Sequence, residues 1–208
     1  MPPEDPAPGL PDFAGLLASR LSRFDQTPDR GKVKALASYL FELDRWRGRI
    51  NLTGRLSATG LVEHALESLL GSSLIADSAK VIDVGSGAGF PGIPIAIGRP
   101  DLHLTLVEPR AKRAAFLRHV ARTLPLANVE VLEKRAEDLP RAGWDVATTR
   151  AVGALPSLAG LGALLEPAGL LLAWTVDTES LSIPGLHFEK SLKIPGSERK
   201  VIAAFRRA

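Results

Sequence analysis

The stretch Lys80-Val81-Ile82-Asp83-Val84-Gly85-Ser86-Gly87-Ala88-Gly89-Phe90-Pro91-Gly92 joins a short apolar run to a glycine-rich loop. Lys80 to Val84 has the length and β-branched content of a buried strand. The glycines at 85, 87 and 89 let the chain turn sharply and let a ligand approach the backbone without meeting a Cβ. The first N–H groups of a following helix have no intrahelical partner and can bond polar ligand atoms. In an open parallel sheet this place is the carboxyl edge, where ligands bind. The dinucleotide fingerprint carries glycine in its sixth place, where Phe90 stands, and no Gly-Lys-Ser/Thr follows to make a P-loop. Asp83, just ahead of the loop, suits the ammonium end of an amino-acid cofactor, reached directly or through water, and is a poor neighbour for pyrophosphate. An ordinary strand-to-helix glycine turn is the alternative reading.

The pattern around this stretch predicts an α/β fold. Upstream, Phe13, Leu16, Leu17, Leu21 and Phe24 recur at helical spacing, as do Val33, Leu36, Leu40, Leu43 and Trp46, and then Leu61, Val62, Ala65, Leu66 and Leu69. Ile50 to Gly54 is a linker after the second of these helices. Downstream, strands are predicted at Leu102 to Glu108, Val129 to Leu132, Asp145 to Thr148 and Leu170 to Trp174, with helices at Ala111 to Thr123 and Leu155 to Leu165. Such alternation implies a mainly parallel sheet with helices on both faces. Phe188 to Ile194 and Lys200 to Phe205 flank Pro195-Gly196-Ser197, the signature of an antiparallel hairpin. Five parallel strands closed by a hairpin are the sheet of a Rossmann-like class I methyltransferase. Residues 1–11 are expected to be a disordered tail, 12–78 N-terminal helices packed on the core, and 79–208 the cofactor-binding core.

Composition removes several function classes. The 208 residues contain no cysteine, so disulfides, cysteine-ligated metals and cysteine nucleophiles are excluded, and a reducing cytoplasm fits. No uncharged run of eighteen apolar residues suggests a membrane span, and the acidic, Pro-rich start lacks the form of a signal peptide. His64, His103, His119 and His187 show no metal-ligand spacing, so no metal is expected. The net charge of +3 and pI of about 9.4 permit a polyanionic partner without demanding one. Arg45, Arg47, Arg49 and Arg55 form one basic cluster, and Arg110, Lys112, Arg113, Arg118 and Arg122 another. Each is either a solvated helix face or a grip on phosphates.

Acids recur at the strand ends. Glu108, ending the second strand, suits a carboxylate that accepts from both hydroxyls of a ribose. Ala136-Glu137, after the third, offers a backbone N–H and a carboxylate to an adenine edge. With Asp83 and its loop, these three marks point to S-adenosylmethionine, whose sulfonium supplies the reactive methyl while the protein supplies placement and charge. Thr148-Thr149-Arg150-Ala151 replaces the Asp/Asn-Pro-Pro-aromatic run used on exocyclic base nitrogens, and pyrimidine C5 chemistry lacks its thiol. An acceptor with its own exposed lone pair, such as a purine ring nitrogen, needs no general base. Arg150 stands where such an acceptor would lie; it is placed to hold the acceptor or the cofactor's carboxylate, or to form a salt bridge with Asp83 or Glu137.

From about Trp46 onward the chain resembles the RsmG/GidB family of bacterial 16S rRNA guanine-N7 methyltransferases. The resemblance is carried by Ile50-Asn51-Leu52-Thr53, His64 with Glu67-Ser68, Ile82 to Ala96, Val107 to Leu117, Arg135-Ala136-Glu137, Thr149-Arg150-Ala151 and Glu198 to Ile202. It implies methylation at N7 of a guanine in the small ribosomal subunit, with S-adenosylmethionine as donor. It places Asp83, Gly85, Gly87, Phe90, Glu108, Ala136, Glu137 and Arg150 at the cofactor, and Asn51, Thr53, His64 and Ser68 toward the acceptor. Arg110, Lys112, Arg113 and Arg199 become candidates for RNA contact, and the protein is expected to be a cytoplasmic monomer. Trp174-Thr175 departs from the family's usual Lys-Gly after strand five, and Glu67 stands where the family often has Asp. A methyltransferase for a small molecule or protein, and a non-enzymatic RNA-binding module, are the competing functions; a dehydrogenase lacks the sixth-place glycine.

Overall fold

The computed structural model describes residues 11–24, 29–54, 56–150, 160–176 and 182–208. Three helices come first: α1 (Phe13–Ala18), α2 (Arg30–Arg47) and α3 (Ala58–Ser72). Each begins where a short polar side chain takes up an orphan N–H. Asp12 accepts from Gly15, Asp29 from Lys32 and Ser57 from Gly60, at 2.9, 2.9 and 3.1 Å. The periodicity from Phe13 to Phe24 predicts one helix, but α1 stops at Ala18 and a 3₁₀ turn follows at Leu21–Phe24. At the junction the Ser19 hydroxyl bonds back to the Leu16 carbonyl at 3.0 Å, the kind of local bond that competes with helix continuation. Phe13, Leu17 and Phe24 are buried nonetheless. Apolar spacing reports the buried side of a segment, not its hydrogen-bond ladder.

The remaining elements are β1 (Lys80–Val84), α4 (Gly92–Gly98), β2 (His103–Val107), α5 (Ala111–Thr123), β3 (Val129–Leu132), β4 (Trp144–Thr149), β5 (Leu165–Thr175), β6 (Leu186–Lys193) and β7 (Val201–Arg207). They form one seven-stranded sheet in the order β3-β2-β1-β4-β5-β7-β6. Strands β1 to β5 are parallel neighbours, while β7 pairs antiparallel with both β5 and β6. The order reverses between β1 and β4. The loops leaving two neighbouring strands there run to opposite sides and open a crevice. The β6–β7 connection closes with Ile194 N–H donating to the Lys200 carbonyl at 3.1 Å, so Lys200 and Val201 sit beside Thr175 at the same carboxyl edge.

Side-chain alternation sorts the core into two layers. Val81, Leu104, Leu106, Leu170, Leu172 and Trp174 pack on one face with residues from all five helices. Ile82, Val107, Ala147, Leu171 and Phe205 pack on the other, with Leu161, Leu164 and Leu186. Helices on both faces were the expectation. Among the described residues, the second face is covered by a 3₁₀ turn at Leu161–Leu164 and by loop residues instead. Of the helix expected from Leu155 to Leu165, residues 155–159 lie outside the described residues, and Leu165 already opens β5. No described helix is long and apolar enough to cross a membrane.

Candidate functional site

The glycine loop emerges from β1 at the crevice. Gly85 and Ser86 donate to the Val107 carbonyl at 2.9 and 3.1 Å, which seats the loop against β2. Gly89 has φ +101, and a Cβ there would lie 2.7 Å from Ile93 and 3.2 Å from the Tyr39 hydroxyl, so the position admits only glycine without rearrangement. The Tyr39 hydroxyl donates to the Ala88 carbonyl at 2.9 Å, and its ring meets Phe90 edge-on at 5.5 Å. Helix α2 thus braces the loop from behind.

Asp83 is 1% exposed. Its Oδ1 accepts from the Thr148 hydroxyl at 2.9 Å and its Oδ2 from the Gly92 N–H at 3.3 Å. The carboxylate therefore faces the strand–helix junction and holds the far end of the loop. Burial pushes its pKa up to about 6, against hydrogen bonds that favour the charged form. The folded state then binds this proton more tightly than the unfolded chain. That stabilisation is complete below the ordinary aspartate value of 3.8 and is lost as pH rises through about 6. The stability of wild type minus that of Asp83→Asn is expected to fall as pH rises from 4 to 6, measured by urea denaturation. His64, whose pKa is lowered to about 4 by burial and by Arg150, titrates with the opposite sign, but it is common to both proteins and cancels. A difference that stays flat would show that Asp83 titrates in the folded protein as it does in the unfolded chain.

In front of the loop lies a hollow of about 340 Å³. Leu52, Thr53 and Leu56, from the α2–α3 connection, form one wall and the glycine loop with Phe90 the other. The connection is held down by Arg113 donating to the Asn51 carbonyl at 2.8 Å and by Arg47 donating to the Leu56 carbonyl. Glu108 reaches the loop from the end of β2. Its Oε2 accepts from Gly87 N–H at 3.1 Å and its Oε1 from Arg110 N–H at 2.9 Å, which leaves lone pairs on both oxygens. Among the described residues, a Cβ built on Gly85 would meet nothing within 4 Å, and Thr53 Oγ1 is buried with no hydrogen-bond partner. A cradle open at Gly85, a carboxylate at its lip and an unpartnered hydroxyl in its wall fit a nucleoside-bearing cofactor. A larger groove of about 880 Å³, between α1 and α2, lies away from the strand ends.

Arg150, at the end of β4, closes the hollow. Its guanidinium lies 5.9 Å from the Phe90 ring centre, and the His64 ring meets Phe90 edge-on at 5.5 Å. Its carboxylate partner is Glu67 on α3, not Asp83 or Glu137, and it also donates to the His64 carbonyl at 3.2 Å. Asp83 is already engaged by Thr148 and Gly92, and Glu137 is exposed after β3 on the 3₁₀ turn Ala136–Asp138. Lys200 holds the other oxygen of Glu67 at 3.0 Å.

The structure thus gathers Gly85, Gly87, Phe90, His64, Arg113 and Arg150 around one hollow, with Glu108 bonded to the loop at Gly87 and Asp83 behind it at Gly92. Asn51 is exposed, its Oδ1 accepting from Gly54 N–H at 3.3 Å. Ser68 is fully buried and its hydroxyl donates to the His64 carbonyl, so it lines neither this hollow nor its neighbour. Ala136 and Glu137 stand one strand further out. Arg110 and Lys112 are exposed at the start of α5, and Arg199 is exposed in the β6–β7 turn. In the earlier basic cluster Arg45 pairs with Glu42 and Arg47 with Asp44 on their own helix, while Arg55 lies outside the described residues. Trp174 and Lys200 were not anticipated. They come from strands far along the chain, and only their place at the carboxyl edge marks them.

A seven-stranded sheet of this order, with a glycine loop and an acid at the ends of β1 and β2, defines the class I methyltransferase fold. Among solved structures, precorrin-6y C5,15-methyltransferase from Geobacter metallireducens shares it at TM-score 0.52 and 17% identity, covering 75% of this chain and 92% of that one. Residues 32–185 match the GidB family, described as rRNA small subunit methyltransferase G, and the chain belongs to that family. It is 39% identical to the ribosomal RNA small subunit methyltransferase G of Stenotrophomonas maltophilia, over 79% of this chain and 86% of the relative. With that of Roseiflexus sp. it shares 36%, over 86% and 89%.

Proposed function

We propose that the protein transfers the methyl group of S-adenosylmethionine to N7 of a guanine in 16S rRNA of the small ribosomal subunit, acting as a cytoplasmic monomer. The observation that carries this reading is the hollow at the reversal of strand order, with Glu108 bonded to the glycine loop that walls it, in a chain of the small-subunit methyltransferase family. When bound, the cofactor supplies an electrophilic methyl on sulfur. Glu108 uses its spare lone pairs on the ribose hydroxyls, and the open backbone at Gly85 admits the ligand. Asp83, ionised at neutral pH, acts from behind the loop through its negative field on the ammonium end. Ala136 and Glu137 extend the site toward adenine. A guanine N7 presents its own lone pair, so no base is required, and His64 stays neutral beside it. Incubating undermethylated small subunits with enzyme and S-adenosylmethionine is expected to yield 7-methylguanine by mass spectrometry. A folded, cofactor-binding enzyme that yields none overturns the proposal.

Phosphate contacts are assigned to the exposed Arg110 and Lys112, with Arg199 on the neighbouring turn; Arg113 is tied to Asn51. Each phosphate-bound cation contributes about 0.7–0.9 to the slope of log affinity against log salt. Replacing Arg110 and Lys112 together by alanine is expected to flatten that slope by roughly 1.4–1.8. Binding of S-adenosylhomocysteine serves as the control and should not change. An unaltered slope would place the RNA elsewhere.

A further inference from the structure

A second hollow of about 270 Å³ adjoins the first and shares His64 and Arg150 with it; Glu67, Trp174, Thr175, Val176, Ile194 and Lys200 complete its walls. A flat ring seated there has one edge toward the cofactor hollow across that shared wall. Glu67 organises the polar side. It is 2% exposed; its carboxylate oxygens are held by Arg150 and Lys200, and its backbone carbonyl accepts the Trp174 indole N–H at 3.0 Å. Each of its carboxylate oxygens is thus engaged by a cation, and the carboxylate fixes where both donors point. Lys200 differs, with 42% of its side chain exposed while its Nζ is fixed 3.0 Å from Glu67. An ammonium carries three N–H donors, and Glu67 takes one. Arg150 is likewise a donor without acceptor capacity. The two cations therefore offer donors only, and of the two Lys200 is the more open to solvent.

Donors alone discriminate between purines at position 6. Guanine presents the acceptor O6, adjacent to N7, whereas adenine presents an amino donor there. We propose that Lys200 is a specificity-determining residue that donates to O6 of the acceptor guanine and so admits 6-oxopurines while rejecting 6-aminopurines. This rests on the reading that a guanine of rRNA is the acceptor. Lys200 holds the acceptor in register; it takes no part in methyl transfer itself.

The test uses small subunits whose 16S rRNA carries either guanine or 2,6-diaminopurine at the methylated position, since the analogue keeps N7 and the 2-amino group but replaces O6 by a donor. Wild type is expected to favour guanine in kcat/KM by about 10- to 100-fold, the range of a hydrogen bond to a charged group. Lys200→Met should lose about that factor on guanine and little on diaminopurine, so the preference collapses, while Lys200→Arg retains it. Calorimetric affinity for S-adenosylhomocysteine and the thermal midpoint report whether the fold and cofactor hollow survive. A Lys200→Met enzyme that keeps the wild-type preference overturns the inference. So does one that loses both substrates equally, because that is the signature of a disturbed Glu67. A wild-type enzyme that methylates neither purine removes the proposed function, and this inference with it; one that methylates guanine while Lys200→Met still prefers it removes this inference alone.

Discussion

Replacing Glu67 by alanine is expected to lower stability by about 3–5 kcal/mol, the range for leaving a buried ion pair without one partner. Glu67 is the only carboxylate bonded to Arg150 among the described residues, and Arg150 has 16% of its side chain exposed, so the guanidinium is left largely without water or countercharge. Burial already works against Arg150's charge, which Glu67 offsets. Lys200, half open to solvent, adds little to the loss. The three residues tie α3 to the ends of β4 and β7, so the effect spreads to the whole carboxyl edge. Glu67→Gln keeps an acceptor but not the charge and should fall between. Urea midpoints with an unchanged m-value measure the loss directly. Arg118→Ala is the contrast. It breaks a pair with Glu133 whose side chains are 47% and 38% exposed, and such surface pairs are worth about 0–1 kcal/mol. A Glu67→Ala loss within that surface range would mean that Arg150 finds solvent when its partner is gone.

The same cluster shows where sequence reasoning ends. The strands β1 to β4 and the closing hairpin follow from apolar runs and turn residues that are neighbours in the chain. The glycine loop is legible because Gly85, Gly87 and Gly89 sit within five residues of each other. Glu67, Arg150 and Lys200 are spread over 133 positions, and no local spacing joins them. A partial signal exists. Glu67 lies in a helix dominated by apolar residues, and a buried carboxylate requires a cation, but its face neighbours His64 and Glu63 are polar, so its burial is only faintly marked. Asp83 or Glu137 is the salt-bridge partner the sequence offers Arg150, beside its acceptor and cofactor roles, because those acids share its strand-end position. Strand order alone does not reveal that Asp83 turns inward to Thr148 and Gly92. The break at Ser19 escaped for a different reason: the apolar stripe continues across it, since both pieces bury the same side. On the second face, the described part of the β4–β5 connection is a 3₁₀ turn at Leu161–Leu164, a distinction that strand–helix alternation does not carry.

Gly87→Val is expected to abolish binding of S-adenosylhomocysteine, with a loss of at least about 100-fold and more than about 2.7 kcal/mol. Gly87 has φ +52, and the nearest neighbours of a Cβ there are 3.6 Å or more away, so the protein itself does not reject the side chain at its first carbon. The added methyls extend into the hollow shared with Gly85 and Phe90 and fill the place of the ligand. They also crowd the Glu108 oxygen that Gly87 N–H holds, 3.9 Å from the new Cβ, which is the carboxylate assigned to the ribose. A left-handed backbone at valine adds about 1–2 kcal/mol of strain, and that term alone destabilises the fold without selecting against a ligand. Gly185→Val separates the two effects. Gly185 has φ +76 with nothing within 4 Å of a built Cβ, and it lies in the turn before β6, away from the hollow. Both variants should lose similar stability in urea, but only Gly87→Val should lose the heat of ligand binding in calorimetry. Equal affinity in the two would mean that the cofactor does not occupy the space in front of Gly87.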